Sequence, residues 1–202
     1  MTNEIYGIDY LQRRLADKQT RVLLRYKYYE MKNNAQDFSS LAPEKFKGLK
    51  ETVGWCAKAV DSLADRLQFD EFQNDEFNLS EIFLSNNQDI LIDSAVLSAL
   101  FSACSFVYIR EDNGYPRLQV IDGSYATGII DPVTNLLTEG YAVLERDSMG
   151  VVKTEAYFMA GMTEIYSHGV LVQRIPNAAP YALLVPIIYR PDTKLPIGNS
   201  RN

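Results

Sequence analysis

The period of the apolar residues changes near Cys104, and this change constrains the fold more than any other feature of the chain. Before Cys104, apolar residues recur every three or four positions, which is the spacing of an amphipathic helix. After it, short segments alternate apolar and polar residues between turn signals, as strands do. The two kinds of segment are grouped rather than interleaved. The pattern therefore predicts an α+β fold, with a helical first half packed on an antiparallel β-meander.

The period also predicts how the chain is divided. We expect a helical part over residues 1–104, a β part over residues 105–190 and a connecting stretch over residues 191–202. A chain of 202 residues is long enough for one well-cored domain or two small lobes.

The first helical segment combines an apolar stripe with many basic residues. The stripe consists of Ile5, Ile8, Leu11, Leu15 and Val22. The basic residues between them are Arg13, Arg14, Lys18, Arg21, Arg25 and Lys27. A basic helix face of this kind is either simply solvated or holds nucleic acid or an acidic neighbour. The helix is expected to end before Asn33-Asn34, and Pro43-Glu44 to open a short helical turn.

Three further helices are predicted before Cys104. The second has apolar residues at helical spacing, so its apolar face is expected to pack on another element. Those residues are Leu49, Val53, Cys56, Val60, Leu63 and Leu67. A third helix begins near Leu79, with Ser80 as its cap, and a fourth runs from Asp89 to Ala103. The fourth is apolar on most faces and is therefore expected to lie centrally.

The β half opens with a hairpin. Phe106–Arg110 and Arg117–Ile121 flank the Asn113-Gly114 dipeptide, which favours a tight two-residue turn. Further strands are predicted near residues 126–130, 140–146, 151–159, 162–166 and 170–174. The tail from Pro186 to Asn202 is Pro-rich, and no strand is predicted beyond residue 174.

Composition excludes several functional classes. The chain has 20 Lys and Arg against 26 Asp and Glu, a net charge of −6 that disfavours a free-standing DNA-binding module. Cys56 and Cys104 lie in apolar segments, which favours buried thiols in a reducing compartment. The sole histidine, His168, precedes a glycine in a predicted turn, so a multi-histidine metal site is excluded within one chain. No cofactor motif or membrane span is predicted.

Two carboxylate pairs keep a hydrolase open as an alternative. Asp61/Asp65 and Asp89/Asp93 each lie four residues apart, so both members would share one helix face. An acid/base pair needs that arrangement, although carboxylates at this spacing are far more often solvated. The sequence shows no pattern of a catalytic nucleophile, a general base or a metal cluster. It therefore favours a non-enzymatic, architectural role over a carboxylate-dependent hydrolase.

Aromatic and charged residues near the ends of two helices are candidates for a subunit interface. Tyr26, Tyr28 and Tyr29 cluster at the end of the first helix, where amphipathic rings serve either contacts between subunits or packing within the chain. Trp55 and Arg66 lie in the second helical segment. These five residues are the candidates for contacts with neighbouring subunits or other partners, and packing within the chain stays open for the tyrosines.

Several short motifs, in this order, resemble the portal proteins of long non-contractile-tailed bacteriophages and prophages. The first two are Arg25-Tyr26-Lys27-Tyr28-Tyr29-Glu30, and Trp55 followed by Ala59-Val60-Asp61-Ser62-Leu63-Ala64-Asp65-Arg66-Leu67. The others are Ile82 to Asn87, the helical run before Ser105-Phe106-Val107-Tyr108-Ile109, and Val185-Pro186 through Arg190-Pro191 to Pro196-Ile197-Gly198-Asn199-Ser200-Arg201. Family members run on past the position of Arg201 into clip, stem and crown segments, so the chain resembles the wing region.

The resemblance implies a structural subunit of a homo-oligomeric, dodecameric portal ring at one capsid vertex. Such a ring passes double-stranded DNA, and its partners are the terminase, scaffold, major capsid and neck proteins. The implied location is the virion, and the host cytoplasm during assembly. The alternative within phage structure is a minor head or neck adaptor.

Overall fold

The computed structural model describes residues 5–32 and 54–189 of the chain. It contains four helices followed by eight strands within these residues. The helices are α1 (Ile8–Tyr29), α2 (Trp55–Ala64), α3 (Leu79–Ser85) and α4 (Gln88–Ser102). The predicted α+β class is confirmed, and the change of period coincides with the step from α4 to the first strand.

The strands form two antiparallel sheets. They are β1 (Cys104–Asp112), β2 (Tyr115–Ile121), β3 (Ala126–Ile130), β4 (Leu137–Arg146), β5 (Val152–Met159), β6 (Met162–Ser167), β7 (Val170–Pro176) and β8 (Leu184–Ile188). One sheet has the order β2-β1-β8, and the other has the order β3-β4-β5-β6-β7. The second sheet is the predicted meander, since consecutive strands are neighbours.

The predicted hairpin is present. Asp112 pairs with Tyr115, which leaves Asn113 and Gly114 as the two turn residues. Both have positive φ angles, 53° and 83°, as a turn of type I′ requires. His168 also lies in a turn, with φ 49°, as expected.

The eighth strand departs from the prediction. No strand was predicted beyond residue 174, but β8 follows at Leu184–Ile188, and its Pro186 lies opposite Phe106 of β1. Proline lacks the N–H that an interior strand needs, whereas β8 is an edge strand and pairs on one side only. The β half is therefore a meander plus a separate three-stranded sheet.

The main core joins the two sheets. Phe106 of β1, Leu137 of β4, Phe158 of β5 and Leu184 of β8 are fully buried in one cluster. The rings of Tyr108 and Phe158 meet edge to face, with centroids 4.9 Å apart. Strands from both sheets thus bury their apolar side chains against each other.

The first half of α1 packs on the five-stranded sheet. Leu11 and Leu15 are buried against Tyr141 and Tyr157 in a second cluster. Ile5 of the predicted stripe precedes the helix and is 73% exposed. The apolar stripe is therefore confirmed from Ile8 onward but is wrong at Ile5.

Two residues of the helical half are buried or exposed against expectation. Lys18 was grouped with the outward basic residues but is buried, with Nζ 2.9 Å from Sγ of Cys104 and 5.4 Å from the centre of the Phe106 ring. Its long apolar stem allows it to lie in a largely apolar site. Cys104 is buried as expected, whereas Cys56 is exposed.

The exposure of Cys56 reflects the position of α2. No residue of α2 is buried, and Leu63 and Leu67 are 45% and 52% exposed. The expected packing of one shared apolar face is therefore wrong for residues 54–67; Leu49, Val53 and Pro43-Glu44 lie outside the described residues.

The start of α3 is capped by a residue other than the expected Ser80. Both carboxylate oxygens of Asp75 accept main-chain N–H groups, from Leu79 at 2.6 Å and from Ser80 at 2.7 Å. A carboxylate at a helix N-terminus satisfies free N–H groups and favours the helix dipole. Among the described residues, no helix combines the length and the apolar character that a membrane crossing needs.

Candidate subunit interface

The helix α1 has an inner and an outer face. Leu11, Leu15, Lys18 and Val22 are buried on the inner face. At 3.6 residues per turn, the opposite side of the helix carries a second row of residues. This row, the outer face of α1, consists of Tyr10, Arg13, Asp17, Arg21, Leu24, Lys27 and Tyr28, and all of its residues are exposed.

Tyr26 belongs to the inner side of α1. Its hydroxyl donates to Oδ2 of Asp122 at 2.6 Å, and its ring lies 5.1 Å from that of Phe101 on α4. Asp122 also accepts hydrogen bonds from the Ser98 hydroxyl and from the N–H of Ser124. Burial, and then the bond to Asp122, raises the pKa of Tyr26 far above its usual value. Tyr26 therefore joins α1 to α4 and to the β2–β3 turn.

Tyr29 also packs within the chain. Its hydroxyl donates to Oδ1 of Asp61 at 2.7 Å, and its ring meets Phe101 edge to face at 4.1 Å. The hydrogen bond to Asp61, followed by burial, raises the pKa of Tyr29. Tyr29 is thus the contact that ties α1 to α2.

The other three candidate residues face solvent. Tyr28 is 48% exposed and Trp55 is 78% exposed, and Arg66 is exposed as well. The structure therefore divides the five candidates: Tyr26 and Tyr29 hold the helices together, while Tyr28, Trp55 and Arg66 are available on the surface. Large exposed aromatic rings are enriched at protein interfaces.

Three of the four candidate catalytic carboxylates line one cleft. Asp61, Asp65 and Asp93 border a cavity of about 330 Å³ between α2 and α4, whereas Asp89 lies outside its lining. Asp65 and Asp93 are exposed, and Asp61 is engaged by Tyr29. Among residues 5–32 and 54–189, no group of three His, Cys, Asp or Glu side chains is arranged to hold a metal ion.

Sequence reasoning missed a network of carboxylates and phenols on the five-stranded sheet. Strands β4, β5 and β6 each carry a Glu-x-Tyr triplet, and within each triplet both side chains lie on the same face of the sheet. The triplets are Glu139-Gly140-Tyr141, Glu155-Ala156-Tyr157 and Glu164-Ile165-Tyr166. All three glutamates are buried. The repeated triplet was the available signal, because a glutamate at an inward strand position needs buried partners.

The phenols of these triplets donate to the glutamates. Tyr157 donates to Glu139 at 2.6 Å, Tyr166 donates to Glu164 at 2.8 Å, and Tyr141 donates to Glu155. Burial, and then these bonds, raises the pKa of all three phenols, that of Tyr166 to about 12. The phenols therefore stay protonated donors to the carboxylates.

Glu139 connects this network to α1. Its Oε1 accepts the N–H of Tyr6 and its Oε2 accepts the N–H of Gly7, each at 2.9 Å. Gly7 directly precedes α1 and has φ 82°, which a residue without a Cβ adopts readily. The sheet thus supplies the carboxylate at the N-terminal end of α1 and orients the helix.

A scan against models of known protein families finds no match for this chain, and a search of curated proteins finds none either.

Proposed function

We propose that this chain is a structural subunit that works through contacts between copies, and that it corresponds to the wing region of a tailed-bacteriophage portal ring. The observation that carries the proposal is the outward exposure of Tyr28 and Trp55, at 48% and 78%. These two aromatic residues belong to the first two motifs by which the sequence resembles that family. Exposed tyrosine and tryptophan rings are typical anchors of protein interfaces.

In this role the chain is held in a homo-oligomeric ring, dodecameric in the full-length protein, at one capsid vertex. Double-stranded DNA passes through the ring, driven by the terminase, and the scaffold, major capsid and neck proteins bind its outside. The net charge of −6 suits such a conduit, because a negative surface passes DNA without gripping it. The subunit assembles in the host cytoplasm and remains in the virion; it alters no covalent bond and needs no cofactor.

Self-association of the purified protein tests this proposal. Electron microscopy and light scattering over a range of protein concentrations should show rings or smaller oligomers. Because Trp55 is the only tryptophan, its fluorescence reports on one site, and its emission should shift to shorter wavelength as copies associate. Particles that stay monomeric at every concentration would refute the proposal. A minor head or neck adaptor is distinguished by gene position, because a portal gene normally follows the gene of the terminase large subunit.

A further inference from the structure

The loop between α2 and α3 presents an acidic surface of defined shape. Residues 68–78, which we name the acidic loop, carry exposed Asp70, Glu71 and Glu76 next to Phe77, which is 79% exposed. Within the described part of the chain, none of these three carboxylates forms an ion pair. An exposed aromatic ring beside carboxylates provides both an apolar anchor and charged groups for a contact with another surface.

Internal contacts hold the acidic loop in place. The ring of Phe72 meets that of Phe83 on α3 edge to face, with centroids 4.9 Å apart, and Phe69 stacks on Phe83 at 6.0 Å. Asp75 caps α3 through two main-chain N–H groups. Phe77 is thus exposed in a loop that is held against α3 by ring contacts and by the Asp75 carboxylate.

The outer face of α1 has the opposite charge. Arg13, Arg21 and Lys27 are exposed there, and across residues 5–32 and 54–189 they form no ion pair. Only one carboxylate, Asp17, lies among these three cations in the row. Leu24 and Tyr28, each about half exposed, provide apolar surface beside Arg21 and Lys27.

We infer that the acidic loop of one copy docks on the outer face of α1 of a second copy, with Phe77 against Leu24 and Tyr28. The two surfaces carry complementary charge, and within residues 5–32 and 54–189 the charged groups named above form no ion pair. Because the contact joins two different surfaces, each copy binds one neighbour through its acidic loop and a second neighbour through its outer face of α1. The assembly therefore propagates head to tail or closes into a ring. The inference rests on the proposed self-association and adds the surfaces that carry it.

A reciprocal exchange of charge tests this pairing. In one variant, Arg13→Glu and Arg21→Glu reverse the outer face of α1; in the other, Asp70→Lys and Glu71→Lys reverse the acidic loop. Each variant alone opposes like charges at the contact, so sedimentation velocity should show the dissociation constant rising by at least about thirtyfold. Mixed in equal amounts, the two variants present complementary surfaces again, and association should return to within about threefold of the unmodified protein.

Two further variants separate the contact from general effects. Phe77→Ser should weaken association on the order of tenfold or more, because a central aromatic anchor is removed. Glu111→Lys changes an exposed carboxylate outside both surfaces and should leave association unchanged. Circular dichroism of each variant checks that the fold is retained.

The outcomes distinguish the inference from the proposed function. Suppose that the unmodified protein associates. If each charge-reversed variant alone associates as tightly as the unmodified protein, or if mixing the two variants does not restore association, this pairing is wrong while the proposed function stands. If the unmodified protein never associates, the proposed function and the inference fall together.

Discussion

The carboxylate of Glu139 is expected to hold the N-terminal end of α1 on the sheet, and Glu139→Gln tests this directly. The substitution keeps the shape of the side chain but replaces one carboxylate oxygen by an amide NH₂. Glu139 is 4% exposed and accepts three hydrogen bonds, from the N–H groups of Tyr6 and Gly7 and from the Tyr157 hydroxyl. All three partners donate hydrogen bonds to the Glu139 carboxylate.

The magnitude follows from the donors that lose a partner. Wherever the new NH₂ group lies, it faces the N–H of either Tyr6 or Gly7, and two donors cannot bond to each other. Leaving one such group unpaired costs about 1–3 kcal/mol, and the remaining bonds lose the strengthening that the charge gave them. Relief from burying a charge offsets part of this loss. We expect a net loss of about 2 kcal/mol for Glu139→Gln and about 3 kcal/mol for Glu139→Ala, which also leaves the Tyr157 hydroxyl without its acceptor.

Urea unfolding followed by circular dichroism measures the free energy of unfolding, and amide hydrogen exchange measures the local effect. A loss of about 2 kcal/mol corresponds to a lower melting temperature of about 4–8 °C for a chain of this size. Exchange should accelerate first at the amides of Tyr6, Gly7 and Leu11, since Leu11 bonds to the Gly7 carbonyl. Glu111→Gln is the matched control, because that carboxylate is exposed, and it should change stability by less than about 0.5 kcal/mol. A Glu139→Gln protein with unchanged stability and unchanged exchange at Tyr6 and Gly7 would show that the carboxylate does not hold the helix.

Three further outcomes are expected. Tyr26→Phe removes a hydrogen bond to a carboxylate and should cost about 1.5–3 kcal/mol in urea unfolding, whereas Tyr28→Phe, on the outer face, should cost less than about 0.5 kcal/mol; equal effects would contradict the assignment of their faces. A thiol reagent should label Cys56 in the folded protein and Cys104 only after denaturation, as peptide mapping can show; rapid labelling of both would contradict the packing. The pKa of Tyr166 is raised to about 12, so its contribution to stability is fully present below about pH 10 and is lost as the pH rises towards 12. Urea midpoints across this range should fall less steeply for Tyr166→Phe, and equal slopes would argue against the raised pKa.

The sequence predicts the β half well because its signals are local. An alternating period selects the strand, and a dipeptide such as Asn113-Gly114 selects the turn that joins two strands. The missed strand β8 shows the limit of this reasoning. Pro186 disfavours an interior strand, but whether a strand lies at an edge depends on pairing with β1, which is remote in the chain.

The helical half is predicted less well because amphipathicity identifies an apolar face but not its partner. In α2 the residues turned towards α1 and α4 include Val60 and Asp61, and Asp61 is held by Tyr29. The apolar residues Leu63 and Leu67 are therefore left half exposed. The hydrogen bond from Tyr29 thus reaches a polar residue of α2 rather than its predicted apolar face, and no pattern within α2 reports that bond.

Sequence pattern also does not tell which of the three candidate tyrosines of α1 face inward, because this depends on their packing partners. Tyr26, Tyr28 and Tyr29 are neighbours in the chain, but a helix turns by about 100° per residue, so Tyr28 points away from the other two. Which of them faces outward is decided by the inner anchors, and these include the bonds from the sheet to the start of α1 as well as the bond from Tyr26 to Asp122. The presentation of the outer face of α1 therefore depends on buried groups: a change in the buried carboxylates should rotate or loosen the helix, and so displace its outer face, without touching any exposed residue.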